Sequence, residues 1–472
     1  MPVHQSGLVA QSQQYSTAVI ACANVQGTAA AVPSIGERSD DSYKQLVPGS
    51  QRAVTSPLVT WQPLQTARLR LLPTATTWLR NLTNTPTGKP DVVTGMQNFP
   101  FVHSYSNHCA PEFGVVKLTN IPYATTKAEI LAMIGRNAKL PKDAYEPVHI
   151  IMEKVTAKTQ DAYVEFLTVE DAERAVQRYA DLVDHRRQPR LGQRPVELEL
   201  SSQEALLKDL FPFAFGVAWN GATPVIQPEI KDSPWTKFKG FVTAEEIHNL
   251  LRAVEMPQRG PYSRDVPQRP YECMISTIKK FPWFCPEYVS VMQRHLIYSG
   301  TLKLATILRK TLNSPQHDKQ DGKVNEQLMQ RFFQAAMLCP GFSIVQKDNI
   351  AQACELKKSL KGFNIPAYAD SWAHQHTLCP KPGVPVDVLE WYIALIREET
   401  TNFLTQNIHE KTLSEIPHKL EDTDDHGYFG FAWVELNLPD QKALAQWTLK
   451  DLGNLEMCVF RAIVERALRR AA

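Results

Sequence analysis

The stretch TQDAYVEF, residues 159–166, decides the fold class because its residues alternate in character as those of a β-strand do. Successive side chains of a strand point to opposite faces, so this octapeptide has an apolar face and a mixed face. The apolar face holds Ala162, Val164 and Phe166, and the mixed face holds Asp161, Tyr163 and Glu165. The stretch therefore predicts a strand whose apolar face packs on a core.

Matching elements lie on both sides of this strand. A capping-box pair begins one predicted helix at Thr126, and acidic residues in the first turn begin another at Thr168. The other predicted strands are Val115–Ile121, Val148–Lys154 and Arg194–Ser201. The order is βαββαβ, which predicts an α+β domain with four antiparallel strands on one side and two helices on the other.

Residues 114–202 resemble the RNA-recognition motif (RRM) family. The first strand (VKLTNI, residues 116–121) is similar to the family's RNP2 segment, and TQDAYVEF is similar to its RNP1 segment. The resemblance implies a ferredoxin-like sandwich that binds single-stranded RNA by stacking bases on aromatic rings of the sheet.

Two departures from the family pattern weaken that sheet as an RNA platform. The three positions that usually carry rings hold Lys117, Asp161 and Tyr163, so only one ring remains. Between Gly114 and Ser202 there are thirteen Lys or Arg and thirteen Asp or Glu, which leaves no net attraction for a polyanion. In this respect the domain resembles the quasi-RRM subclass of nuclear ribonucleoproteins that bind G-rich tracts and regulate splicing.

The quasi-RRM resemblance implies contacts at the loops along one edge of the sheet. Tyr163 and Tyr123 are predicted to stack on bases, and the remaining residues to hold phosphates or base edges. The predicted RNA-binding residues are Lys117, Tyr123, Lys158, Tyr163, Arg186, Arg187 and Arg190. Most of these residues also have a structural explanation. Tyr163 would be a half-exposed strand residue, Tyr123 would pack its loop on the first helix, and Lys117 would be a solvated lysine. The three arginines would belong to an ordinary exposed loop.

The rest of the chain divides by composition. Residues 1–112 are rich in Ser, Thr, Gln, Pro and Ala and are predicted to be disordered or weakly ordered. The RRM-like domain spans 113–203, a linker spans 204–240, and 241–472 are predicted to form a mainly helical domain with protein partners. Together with this domain, PQRPYE (267–272) and KKFPWF (279–284) resemble filamentous-fungal RRM-containing proteins.

A second segment, FGFAWVEL (429–436), also matches the RNP1 pattern, with Phe431 and Trp433 at the ring positions. The region where its RNP2 partner should lie, residues 386–396, has helical spacing instead. A buried strand or helix is therefore favoured over a second RRM.

Composition and motifs exclude several function classes. Net charge is +2, and no apolar run reaches membrane length, which predicts neither a membrane span nor a signal peptide. Scattered cysteines without a Cys-x-x-Cys pair indicate reduced thiols inside the cell. HQHTLC, with His374, His376 and Cys379, fits no zinc spacing. We predict no metal, no cofactor and no catalytic residues.

These observations predict a non-catalytic, single-stranded RNA-binding protein. The resemblance implies a role in nuclear mRNA processing or splicing regulation, with the protein in the nucleus and possible cytoplasmic occurrence. The alternative is an interaction scaffold that uses the RRM-like domain to dock proteins and binds no RNA.

Overall fold

The computed structural model describes residues 64–106, 108–228, 237–260, 262–314, 322–407 and 427–470. The chain forms two compact units. The central unit comprises residues 104–370 and the short segment 448–450. The terminal unit combines residues up to 103 with 371–447 and 451–472.

The described residues are rich in helix. The helices are α1 (Thr66–Leu71), α2 (Thr77–Leu82), α3 (Val92–Gln97), α4 (Lys127–Ile134), α5 (Val169–Asp184), α6 (Gln203–Leu210), α7 (Ala244–Glu255), α8 (Arg269–Lys280), α9 (Val291–Leu312), α10 (Glu326–Met337), α11 (Ile344–Ala353), α12 (Val386–Asn407), α13 (Ala432–Leu436), α14 (Gln441–Gln446) and α15 (Leu449–Arg469). The strands are β1 (Phe101–His103), β2 (Gly114–Thr119), β3 (Val148–Met152), β4 (Thr159–Phe166), β5 (Arg190–Leu191), β6 (Arg194–Pro195), β7 (Glu197–Ser201), β8 (Val217–Asn220), β9 (Thr223–Ile226) and β10 (Leu378–Pro380).

A four-stranded sheet with the order β3-β4-β2-β7 lies at the centre of the central unit, and all its neighbouring strands are antiparallel. Strand β4 coincides with TQDAYVEF, and the βαββαβ order is confirmed. The predicted fourth strand is divided at Val196, because β6 pairs with β5 in a small hairpin and only β7 joins the sheet. Leu200 on β7 is exposed.

One face of the sheet packs on α4 and α5, as the alternation of TQDAYVEF predicts. Ala162, Val164 and Phe166 share a buried core with Ile130 and Ala172. Each large apolar side chain buried in this way contributes about 1.5–3 kcal/mol. Both helices start at the predicted caps: Thr126 forms a reciprocal capping box at α4, and Thr168 accepts a hydrogen bond from a backbone amide of α5.

The opposite face of the sheet is covered by the helices that follow it in sequence. Helix α8 packs along β3, and Ile151 and Tyr163 belong to the same apolar core as Met274 and Ile278. Helix α9 packs against α7 and α11, and α10 packs against α8. The second face is therefore covered along β3 and β4, whereas the sequence had indicated an open face. Glu197 and Glu199 of β7, on the same side as Lys117, stay exposed.

The predicted linker, residues 204–240, contains folded structure. Leu206 and Leu210 of α6 lie in the apolar core, and the hairpin β8-β9 follows. The Trp219 ring of this hairpin stacks on Phe211 at 6.1 Å. The apolar residues of α6 recur at helical spacing, and this gives the segment a face to bury.

The terminal unit corrects two predicted boundaries. Residues 64–112, predicted to be weakly ordered, carry three helices and β1, and β1 pairs with β10. Residues 1–63 of that predicted region lie outside the described part of the chain. The predicted helical domain 241–472 is also divided, because 241–370 belong to the central unit and most of the remainder to the terminal unit.

Two carboxylates of α12 stabilise the short helices of the terminal unit. Glu398 accepts hydrogen bonds from the Thr66 amide (2.8 Å) and hydroxyl, and Asp387 accepts one from the Thr76 amide at 2.6 Å. Amides of a first helical turn have no partner within the helix, so a distant carboxylate can serve as a cap. This long-range capping explains why helices of six residues form where the local pattern predicted none.

FGFAWVEL does not form a strand. Its second half is α13, and Phe429 is buried against Trp372 at 4.9 Å and Phe101 at 6.2 Å. The segment supplies rings to the core of the terminal unit, as the preferred interpretation of the sequence held. The region proposed as its RNP2 partner lies in α12.

Candidate nucleic-acid interface

The sheet position predicted to stack on RNA is inaccessible. Tyr163 is 0% exposed, and its hydroxyl donates a hydrogen bond of 2.5 Å to Asp209 of α6. Burial, together with this carboxylate, raises the pKa of Tyr163 above its usual range. The stacking role predicted for Tyr163 is therefore corrected: its ring packs in the core between the sheet and the helices.

Lys117, the other predicted sheet contact, is neutralised by two carboxylates. Its ammonium group lies 3.2 Å from Asp161 and 3.5 Å from Asp209. Burial is the largest single influence and opposes the charged form, but the contacts with Asp161 and Tyr163 together outweigh it and raise the pKa of Lys117. A lysine with two anionic partners offers a phosphate little net attraction.

A buried ionic cluster fastens α8 to the covered face of the sheet. Glu165 of β4 lies 2.7 Å from the Lys280 ammonium group, accepts 2.6 Å from the Gln203 amide and contacts His149 at 3.2 Å. An ionised carboxylate only accepts, so the His149 Nε2 donates to it. Burial alone would raise the pKa of Glu165, but Lys280 and His149 lower it to about 2.

A second fastening joins α8 to the loop after β2. The Arg269 guanidinium group is 0% exposed and donates to the Thr159 hydroxyl (3.2 Å), the Thr125 carbonyl and the Glu272 carboxylate (2.6 Å). Arg331 reaches the same Glu272 at 3.4 Å. The start of β4 and the loop at residues 120–126 are thereby held against α8.

That loop carries Tyr123, which is 39% exposed and stands among cations and a second ring. The Lys158 ammonium group lies 5.6 Å from its ring centroid, and the Arg194 guanidinium lies 5.8 Å from it. The Tyr262 ring meets Tyr123 edge to face at 4.9 Å. We call these four residues, Tyr123, Lys158, Arg194 and Tyr262, the tyrosine edge.

Backbone contacts hold the tyrosine edge in shape. Arg194 donates to the Ile121 carbonyl at 3.2 Å, and Asn120 donates to the Pro195 carbonyl at 2.9 Å. Thr159 donates to the Tyr123 carbonyl at 2.9 Å. Asn120 has a φ of 58°, a left-handed conformation that Asn tolerates better than most residues. Three loops of the domain therefore meet at one fixed edge.

The predicted loop residues fall into two groups. Tyr123 and Lys158 come together at the tyrosine edge. Arg186 and Arg187 are exposed at the end of α5, and Arg190 is exposed in β5. Their predicted RNA contacts stay predictions.

Arg194 and Tyr262 were missed at the sequence level. Arg194 follows the two-residue turn Gly192-Gln193, and such a turn could have indicated a hairpin that returns this side chain to the edge. Tyr262 lies in a Pro- and Arg-rich loop more than a hundred residues after Tyr123. No local pattern indicates its position.

Two structural features are absent from the described residues. No group of three or more His, Cys, Asp or Glu side chains there is arranged to hold a metal ion, and His374 instead stacks on Trp433 at 5.8 Å. No helix within those ranges is long and apolar enough to cross a membrane.

Replacing Tyr163 with Phe is expected to destabilise the protein by about 1–2 kcal/mol, because Asp209 loses a hydrogen bond made inside the fold. Urea unfolding at neutral pH measures the change. Tyr123→Phe is the matched control, and we expect its effect to stay within about 0.5 kcal/mol because its hydroxyl is on an exposed side chain. Equal effects of the two substitutions would contradict the burial of Tyr163.

Comparison with known proteins divides the central unit into two regions. Residues 112–221 match a domain of unknown function (DUF8400), and residues 238–356 match another (DUF8399). No curated protein matches the chain. The crystal structure of the Glorund qRRM2 domain shows a weak likeness: it is 26% identical, with a TM-score of 0.18, and the match covers 21% of this chain and 98% of that one.

The first matched region contains the sheet, α6 and β8, and the second contains α7–α11. Each region contributes to one shared core.

Proposed function

We propose that this protein binds single-stranded RNA at the tyrosine edge and not on its sheet. The observation that supports the proposal is the grouping of two tyrosine rings with Lys158 and Arg194, each cation within 6 Å of the Tyr123 ring. Bases stack on aromatic rings without strict sequence preference, and nearby cations attract the phosphates between them.

The state of the two predicted sheet contacts supports this choice of surface. Tyr163 is buried and Lys117 is neutralised, so the usual RRM surface offers neither an exposed ring nor an unpaired cation at these positions. The tyrosine edge has an exposed ring, Tyr123, and two cations beside it, Lys158 and Arg194. A single edge of this size provides modest affinity, and we infer that a further contact or a partner strengthens the complex.

We extend the proposal to the cellular process in which the protein would bind RNA. The quasi-RRM resemblance of residues 114–202 supports a part in nuclear mRNA processing or splicing regulation. On this proposal the protein is not an enzyme: the loops and strands act by holding RNA.

Replacing Tyr123 with Ala is expected to weaken RNA binding about 5–150-fold, because stacking one base contributes about 1–3 kcal/mol. The measurement is fluorescence anisotropy of the full chain with a labelled single-stranded RNA of random sequence. Tyr288→Ala, which removes a comparably exposed tyrosine elsewhere in the central unit, is the matched control and should leave affinity unchanged.

The contribution of Lys158 and Arg194 can be measured separately, through the salt dependence of RNA binding. The double variant Lys158→Gln, Arg194→Gln should reduce the slope of log affinity against log salt by about 0.7 for each phosphate contact that is lost. If neither Tyr123→Ala nor the double charge variant changes the affinity for RNA, the RNA binds elsewhere on the protein.

One observation favours the scaffold as a second candidate function. The sheet already binds polypeptide, because α8 of the same chain occupies it. If the full chain fails to bind single-stranded RNA at low salt, where electrostatic attraction is strongest, the scaffold becomes the better explanation.

A further inference from the structure

A cleft of about 1000 Å³ opens beside the covered sheet, and the RNA proposal makes no use of it. Strands β3 and β4 provide part of its wall, the turn after α6 provides another part, and the first residues of α7 complete it. A cavity of this size matches the pockets that proteins use for ligands or for side chains of a partner.

The turn after α6 places two exposed aromatic rings in the wall of the cleft. Phe213 is 44% exposed and Phe215 is 56% exposed, and their rings meet edge to face at 6.3 Å. Val155, also a lining residue, is 68% exposed. Exposed apolar side chains gathered around a cavity indicate a surface that contacts another molecule.

The lysines deep in the cleft are already paired. Lys117 is held between Asp161 and Asp209, and Lys154 lies 2.5 Å from Glu246 while also donating to a backbone carbonyl. Because each of these lysines is already paired with a carboxylate, its electrostatic attraction for an incoming anion is weak.

The lining as a whole carries five carboxylates and three lysines, which gives two net negative charges. Apart from these pairs, the lining holds two carboxylates, Glu153 and Glu245, and one lysine, Lys208. A polyanion such as RNA is therefore repelled, and a cation is attracted.

We propose that this cleft binds a short segment of a partner protein that presents a basic side chain next to an apolar one. Phe213 and Phe215 would receive the apolar group and could also face the cation with their rings. The carboxylates, of which Glu245 is exposed, would neutralise the basic group. Both requirements of the occupant follow from the chemistry of the lining.

The test uses the full chain and two fluorescein-labelled peptide pools. One pool alternates Lys or Arg with Leu, Phe or Trp, and the other carries Glu in place of every basic residue. We expect the basic pool to bind about tenfold or more tightly than the acidic pool, and Phe213→Ala with Phe215→Ala to remove about tenfold of that affinity. Both phenylalanines are exposed, so the double variant should fold normally.

Variants inside and outside the cleft test whether peptide binding depends on the cleft itself. Leu167→Ala with Leu182→Ala removes two exposed apolar side chains outside the cleft and should leave peptide binding unchanged. Glu245→Lys should weaken binding of the basic pool, whereas Glu255→Lys, on the same helix but outside the cleft, should not.

Equal binding of the two pools would overturn the proposal, as would full affinity in the phenylalanine variant. Displacement of the peptides by unlabelled single-stranded RNA, with loss of RNA binding in the same variant, would assign the cleft to nucleic acid instead. Tyr123→Ala should affect RNA binding and leave peptide binding intact, which separates this proposal from the function proposed above.

Discussion

Replacing Glu165 with Gln is expected to destabilise the protein by about 3–5 kcal/mol, the range found when one partner of a buried ion pair is removed. The amide keeps the shape of the side chain but loses its charge, so Lys280 stays buried with only neutral partners. Glu165 and Lys280 are both almost fully buried, so solvent screens their attraction little. Urea unfolding of the two proteins at pH 7 measures the difference.

The same substitution has a characteristic pH dependence. The pKa of Glu165 is lowered in the folded protein to about 2, well below its ordinary value near 4.5. A lowered carboxyl pKa contributes stability above the unfolded value, and that contribution is lost as pH falls towards the folded value. We therefore expect the gap between wild type and Glu165→Gln to shrink by about 3 kcal/mol between pH 5 and pH 2.

Glu199→Gln on β7 is the control for both measurements. Glu199 belongs to the same sheet but is exposed, so its substitution should change stability by no more than about 0.5 kcal/mol. A gap for Glu165→Gln that stays constant down to pH 2 would show that the loss arises from packing and not from the ion pair.

The alternation of TQDAYVEF was enough to predict one face of the sheet but not the other. A period of two tells which side chains share a face, and Val164 and Phe166 accordingly lie in the core with the two helices. The pattern carries no information on what covers the second face. The covering helix, Arg269–Lys280, begins more than a hundred residues after the strand ends.

A trace of the covered face was nevertheless present in the sequence. His149 interrupts the otherwise apolar β3, and Glu165 lies on the mixed face of β4, on the side that was taken to be solvated. A buried carboxylate needs a cationic or donor partner, and Lys280 supplies it from α8. Recognising that match in advance would have required the tertiary structure, since many lysines in the chain could have served.

The tyrosine edge, too, could be predicted only in part from the sequence. The order of the strands brings the loops at residues 120–126 and 153–158 to the same edge, so Tyr123 and Lys158 could be paired from topology. Tyr262 comes from outside the βαββαβ domain, and its contact depends on how α8 is fastened to the sheet. Arg269 makes that fastening, so it links the fold to the tyrosine edge.

Replacing Arg269 with Met is expected to cost about 3–5 kcal/mol, because the Thr125 carbonyl loses its donor and Glu272 keeps only Arg331 as a cationic partner. Arg252→Met on the exposed side of α7 is the matched control and should stay within about 0.5 kcal/mol. Urea unfolding measures both variants.

Arg269→Lys separates the role of Arg269 in stability from its role in positioning the loop. Lysine restores the positive charge, but its single ammonium group cannot reproduce the three directed contacts to Thr159, Thr125 and Glu272. We expect this variant to regain part of the stability that Arg269→Met loses, yet to bind single-stranded RNA more weakly than wild type. Thr125 lies two residues from Tyr123, so a loosened loop no longer holds that ring against Tyr262. Wild-type RNA affinity in Arg269→Lys would show that the tyrosine edge keeps its geometry without the arginine.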